Sequence, residues 1–97
     1  MTPSFSVRTT PHYDRLAWKL HRRHREFLAL QERAIDILQA DPFNRSGRHA
    51  IRKLEGVAPG EGQWRLRLGR FRFRYDVSGR EVGLLYCGLR REDTYRP

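Results

Sequence analysis

The segment QWRLRLGRFRFRYDV, residues 63–77, constrains the fold more than any other stretch of this chain. Trp64, Leu66 and Leu68 alternate with Arg65 and Arg67, and Phe71, Phe73 and Tyr75 then alternate with Arg72 and Arg74. Strict alternation is the period of a β-strand with one buried face. Gly69-Arg70, between the two runs, has the composition of a tight turn. Closed as a two-residue hairpin, the segment sets Arg67 opposite Arg72 and Arg65 opposite Arg74. Like charges directly opposite one another destabilise a sheet, and a solvated face normally mixes signs. A face of arginines alone makes most sense beneath a polyanion, RNA first among them. The plainer alternative is an arginine-rich soluble edge. Every basic residue except Lys19 and Lys53 is arginine, a bias that codon usage alone can produce.

Composition narrows the partners. The chain has 97 residues, enough for one domain and one modest core, with a net charge of +9 and a pI near 11. Such a charge attracts nucleic acid, an anionic membrane or an acidic protein. No apolar run approaches the ~20 residues that span a bilayer. The opening MTPSFSVRTTP has neither the basic start nor the apolar stretch of a signal peptide. Cys87 is the only cysteine, so no internal disulfide forms. Its apolar neighbours predict a buried, inert thiol rather than a nucleophile. A soluble protein of a reducing cytoplasm is the expectation.

The rest of the chain reads as follows. Phe5 to Arg8 alternates as a short first strand. Thr10-Pro11 is a helix N-cap followed by proline at the first helical position. Tyr13, Leu16, Ala17 and Leu20 then share one helical face, and a second helical pattern runs from about His24 to Gln39. One continuous helix over 11–39 would be ~43 Å long, against a radius of gyration of ~12–13 Å for a domain of this size. A break in the all-polar stretch 21–25 is therefore predicted, giving an antiparallel helix pair. Asp41-Pro42 ends the second helix. Residues 43–62 read as a polar connector with one short helical turn at Ile51 and Leu54.

Strands are expected over about 63–68, 71–77 and 81–88. A turn at Ser78-Gly79 pairs Tyr75 with Val82 and Phe73 with Leu84. Trp64, Leu66, Phe71, Phe73, Tyr75, Val82, Leu84 and Tyr86 then face the helices. The arginines share the other face with Gly83 and Leu85. The fold class is α+β, with a helix hairpin packed on a small, mainly antiparallel sheet.

The chemistry open to these residues is limited. His12, His21, His24 and His49 have no metal-ligand spacing with a supporting acid, and His21 and His24 sit in a basic stretch that repels a divalent cation. No nucleophile elbow, phosphate loop or dinucleotide fingerprint is present, and no cofactor is expected. Metal-free phosphodiester chemistry remains, because RNA carries its own nucleophile, the 2′-OH. A protein then has to orient it, stabilise charge on phosphorus and manage two protons. Arginines supply charge stabilisation through forked hydrogen bonds but do not give up a proton. Tyr95, a phenol near several guanidiniums, is the candidate for proton transfer. Its alternative role is to stack on a base or cap the sheet.

At these same residues the chain resembles the RelE/ParE superfamily of type II toxin–antitoxin toxins. The matching stretches are RKLEG at 52–56, WRLRLGRFRFRYDV at 64–77 and GREVGLLYCGLRREDTYR at 79–96. The resemblance implies a microbial-RNase-like fold and, for the RelE branch, a ribosome-dependent endonuclease that cuts mRNA in the 30S decoding site and inhibits translation. It implies a catalytic set at Arg65, Arg67, Arg72, Arg90 and Tyr95, with Arg70, Arg74, Arg91 and Lys53 as further RNA-binding positions. Arg91 is the neighbouring alternative to Arg90. The branch often has lysines where this chain has Arg65 and Arg67, so a lysine-like base is absent there. Either Tyr95 takes the proton or activity is reduced. A cognate acidic antitoxin is implied as partner. The other readings are a ParE-like inhibitor of DNA gyrase, whose branch generally lacks the basic set and terminal tyrosine, and a non-catalytic RNA- or ribosome-binding module.

Overall fold

The computed structural model describes residues 4–90. Strand β1 (Ser6–Thr9) leads into helix α1 (Pro11–Arg23) and helix α2 (Phe27–Ala40). The strands β2 (Ile51–Lys53), β3 (Trp64–Leu68), β4 (Phe71–Ser78) and β5 (Glu81–Leu89) follow. They form one five-stranded sheet in the order β1-β5-β4-β3-β2. Only β1 runs parallel to its neighbour β5; every other pair is antiparallel. The two helices pack on one face of this mixed sheet, and the Cα radius of gyration is 12.8 Å.

Local chemistry sets the helix ends where the sequence places them. The Thr10 hydroxyl accepts from the Tyr13 N–H at 3.0 Å, capping α1 just ahead of Pro11. The helix stops because His24 adopts an extended backbone, φ −133° and ψ 113°. Only His24, Arg25 and Glu26 separate the two helices. At the far end Asp41 leaves the helical region ahead of Pro42.

The core lies between the helices and the sheet. Tyr13, Phe27, Ala34 and Leu38 meet Leu66, Phe71, Phe73, Tyr75, Val82, Leu84 and Cys87, all essentially buried. Phe27 stacks on Phe73 at 6.2 Å and meets Phe71 edge-on at 5.3 Å. Trp64 is half-buried at the margin, stacked on Tyr75 at 6.4 Å and edge-on to Phe43 at 5.3 Å. The two phenols of the core are satisfied: Tyr13 donates to Gln31 Oε1 at 2.6 Å and Tyr75 to the Pro42 carbonyl at 2.8 Å.

The β3–β4 hairpin has the expected register, with Arg67 opposite Arg72 and Arg65 opposite Arg74. Two other expectations are corrected. The helical turn at Ile51 and Leu54 is instead strand β2, with Ile51 opposite Leu66 and Arg52 opposite Arg65. Backbone groups on the open side of β3 need partners, and this short segment supplies them. Such tertiary pairing leaves no periodic trace in three residues.

The β4–β5 register is the second correction. Its turn is Gly79-Arg80, with Ser78 opposite Glu81, so Tyr75 faces Leu84 rather than Val82. Gly79 takes φ +60°, the left-handed conformation that glycine adopts at no steric cost. A β-bulge then intervenes. Arg74 pairs with Tyr86 while Tyr75 pairs with Leu84, leaving Leu85 without a partner. One extra residue reverses the alternation beyond it. Phe73 therefore faces Cys87, which joins the core, and Tyr86 moves from its expected core position to the arginine side.

Candidate nucleic-acid interface

Cross-strand pairing arrays the arginines in rows, because directly opposed residues project to the same side of a sheet. Arg52, Arg65, Arg74 and Tyr86 form one row across β2, β3, β4 and β5. Arg67, Arg72 and Gly88 form the next. The helices cover the opposite face, so this face belongs to the arginines. Arg52 and Arg67 are exposed, Arg65 and Arg74 half-buried, and Arg72 is 7% exposed.

The individual guanidiniums differ in what holds them. Arg72 lies over the Tyr86 ring, its guanidinium carbon 5.6 Å from the ring centroid. Arg74 is turned into the loop ahead of β3. It donates to the Glu61 carbonyl at 3.0 Å and to the Gly62 carbonyl at 2.9 and 3.1 Å. Asp76 holds the same loop, accepting from the N–H groups of Gly60, Gly62 and Gln63 at 2.7, 3.2 and 2.7 Å. Arg90 follows β5. Its N–H donates to the Arg70 carbonyl at 2.8 Å and its Nη1 to the Gly69 carbonyl at 3.1 Å, which fixes it against the β3–β4 turn.

Two sequence-derived contact residues stand apart from this face. Arg70 reaches toward the helix connection, pairing with Glu26 at 2.7 Å and lying 2.9 Å from His24 Nδ1. Its hydrogen bonds hold the Glu26 carboxyl below the usual range. Lys53 is opposite Trp64, on the helix side of the sheet, with its amine 5.8 Å from the indole centroid. Arg52, one residue earlier, takes the place on the arginine face. Reading Ile51 as an inward strand residue would have found Arg52. No sequence signal pointed to Tyr86, since it depends on the bulge. Tyr95 and Arg91 lie outside the described residues.

Cys87 is buried in the core and its thiol is pushed up to about 12 by burial, as an inert cysteine requires. Among the described residues no group of three or more His, Cys, Asp or Glu side chains is placed to hold a metal ion. No helix among them is long and apolar enough to cross a membrane.

The class defined here is a small α+β domain with two helices on one face of a mixed five-stranded sheet and arginines on the other. Solved structures share that architecture. The RelBE2 toxin–antitoxin complex of Mycobacterium tuberculosis superposes with a TM-score of 0.68 at 24% identity, covering 91% of this chain and 99% of that one. The archaeal RelE–RelB complex of Pyrococcus horikoshii superposes with a TM-score of 0.60 at 24% identity, over 90% and 96% of the two chains. No protein-family model matches the sequence, and no curated protein does.

Proposed function

We propose that this chain is the toxin of a type II toxin–antitoxin system and that it inhibits translation by cutting mRNA engaged on the ribosome. The observation that carries the reading is the alignment of Arg52, Arg65 and Arg74 in one cross-strand row, beside the Arg67–Arg72 pair. Like charges in register disfavour the free protein, and a bound polyanion offsets that cost. The sequence resemblance to RelE toxins supports RNA as the polyanion and strand cleavage as the reaction.

In this reading Arg65, Arg67 and Arg72 hold the scissile phosphate and its neighbours through charge-assisted hydrogen bonds. Arg90, fixed against the β3–β4 turn, stabilises the pentacoordinate phosphorus. The 2′-oxygen attacks phosphorus, the 5′-oxygen leaves, and the products carry a 2′,3′-cyclic phosphate and a 5′-hydroxyl. Tyr95 acts in proton transfer from the 2′-OH, since no arginine gives up its proton. No metal or cofactor takes part. Ribosomal alignment of the RNA supplies orientation that is worth ~7–11 kcal/mol in well-aligned reactions, so free RNA is a poor substrate.

The chain works in the cytoplasm, and its second partner is an acidic antitoxin that covers part of the basic face. Primer-extension mapping on translated mRNA tests the reading. Cuts confined to ribosome-engaged codons support it. Uncut mRNA together with inhibited supercoiling by DNA gyrase would replace it with a gyrase inhibitor, and uncut mRNA with retained ribosome binding would reduce the chain to a binding module.

A further inference from the structure

Helix α1 has two faces of opposite character. Tyr13, Leu16, Ala17 and Leu20 pack against the core, while Arg15, Trp18, Lys19 and Arg22 lie on the other side, all four exposed. Their spacing makes the four immediate neighbours. Arg15 and Lys19 are four residues apart, as are Trp18 and Arg22, and Trp18 follows Arg15 by three. Trp18 is 59% exposed, the most open large apolar side chain among the described residues. The Arg22 guanidinium carbon lies 5.8 Å from its ring centroid, and the His21 ring 6.3 Å.

Ordinary solvation does not account for this face. Arg15 and Lys19 are like charges one helical turn apart, as are Lys19 and Arg23, a spacing that destabilises a helix. Among the described residues no carboxylate pairs with Arg15, Lys19 or Arg22. Helix α2 does mix signs, with Glu32, Arg33 and Asp36 all exposed. The single acid of α1 is Asp14, in the first turn, where it complements the helix dipole.

An open indole ringed by cations suits RNA better than protein. Protein contacts centre on a patch depleted of charge. Unpaired RNA offers phosphates to the cations and a base to stack on the ring. The helices and the arginine face lie on opposite sides of the sheet, in a molecule of 33 × 30 × 27 Å. A message held on the arginine face therefore leaves Trp18 to a second RNA.

We propose that Arg15, Trp18, Lys19 and Arg22 form a second RNA contact, which docks the chain on an unpaired segment of ribosomal RNA with a base stacked on the indole. The proposal rests on the reading that the chain works on the ribosome, and it does not require cleavage.

Two measurements test it, and neither needs activity. The first is cosedimentation with ribosomes. Trp18→Ala is expected to weaken binding ~5–100-fold, the effect of one lost base–aromatic stack, and Trp18→Phe much less because a ring remains. Arg15→Gln and Lys19→Gln should each lower the slope of log Kd against log salt by ~0.7–1. Trp18 is exposed, so Trp18→Ala should fold, with an unchanged thermal midpoint as the check. The second measurement uses His21→Cys carrying an aryl azide beside the indole; buried Cys87 escapes the label. Crosslinks to ribosomal RNA are expected. Crosslinks confined to the message or to protein overturn the proposal, as does a folded Trp18→Ala with wild-type ribosome affinity. If that variant instead loses an acidic antitoxin, the face belongs to that partner. Ribosome binding and the crosslink without any cut would fail the cleavage reading alone. Wild type that does not bind ribosomes would fail both.

Discussion

Arg67 and Arg72 are direct cross-strand partners in the β3–β4 hairpin, Arg67 exposed and Arg72 only 7% exposed. Two guanidiniums in this relation repel each other in the free protein. Arg67→Thr removes the repulsion and places a good strand former at the site. It is expected to stabilise the protein by ~0.2–1 kcal/mol in urea melts while weakening RNA contact. Salt should raise the wild-type midpoint more than that of the variant, because it screens the repulsion. A destabilised Arg67→Thr variant would show that the pair is not a cost carried for binding.

Phe73 is fully buried opposite Cys87 and stacked on Phe27. Phe73→Ala should cost ~3–5 kcal/mol, the range for deleting a buried aromatic ring. A change below ~1 kcal/mol in denaturant melts would contradict the packing described here.

Much of this fold is legible in the sequence, and the illegible parts have physical causes. The β3–β4 register follows from alternation plus a two-residue turn, and the helix break follows from the length that one continuous helix over 11–39 would have, with an all-polar stretch to locate it. Thr10-Pro11 and Asp41-Pro42 mark their ends by side-chain and ring chemistry. Strand β2 could not be read because three residues carry no period, and its pairing is decided by the open side of β3. Lys53 is the expected RNA contact, whereas the β2 pairing puts Arg52 on the arginine face. Alternation alone puts Tyr86 in the core, because a bulge inserts one residue without any compositional mark. The parity of Gly83 and Leu84 gave no warning that Leu85 would be left unpaired.

Asp76 makes a further test. Its carboxylate takes three N–H groups from residues 60–63 and so ties the loop that also receives Arg74. Asp76→Ala leaves these donors without their acceptor and should cost ~1–3 kcal/mol. Limited proteolysis should then cut near 59–62, and the wild type should resist cutting there. Unchanged protease resistance would mean that Arg74 alone holds the loop.

The pH dependence has a sign at each end. Burial raises Cys87, Tyr13 and Tyr75 above their ordinary values. Groups raised in the folded state contribute stability that is present below their unfolded values and lost as pH climbs toward the folded ones. Stability should therefore fall above the ordinary thiol value of 9.0, and Cys87 should resist alkylation until the protein unfolds. At the acid end burial pushes Asp41 up, but hydrogen bonds from Ser46 and Arg45 outweigh it and, with His49, leave it below 3.8. Glu26 is lowered chiefly by Arg70. Their contribution is lost as pH falls below the carboxyl range, so thermal melts should show a plateau bounded on both sides. Rapid alkylation of Cys87 in folded protein at neutral pH would contradict the burial assigned to it.

The proposed chemistry places different demands on Arg72, Arg90 and Tyr95. Losing one charge-stabilising donor typically lowers a rate ~10²–10³-fold, and Arg72→Ala and Arg90→Ala are each expected to do so. Tyr95→Phe removes only the hydroxyl, so it separates proton transfer from stacking. An unchanged rate in that variant would leave the tyrosine as a platform and the base unidentified. EDTA, on ribosomes kept intact by polyamine, should leave cleavage unaffected.

Single-turnover cleavage of an mRNA positioned on programmed ribosomes tests the central claim most directly. The account predicts a single cut in the ribosome-bound codon, with a 2′,3′-cyclic phosphate on the upstream product. The cut should be near absent on the same RNA free in solution and should fall ~10²–10³-fold in Arg72→Ala. An intact message beside wild-type protein, or equal cutting by Arg72→Ala, would contradict it.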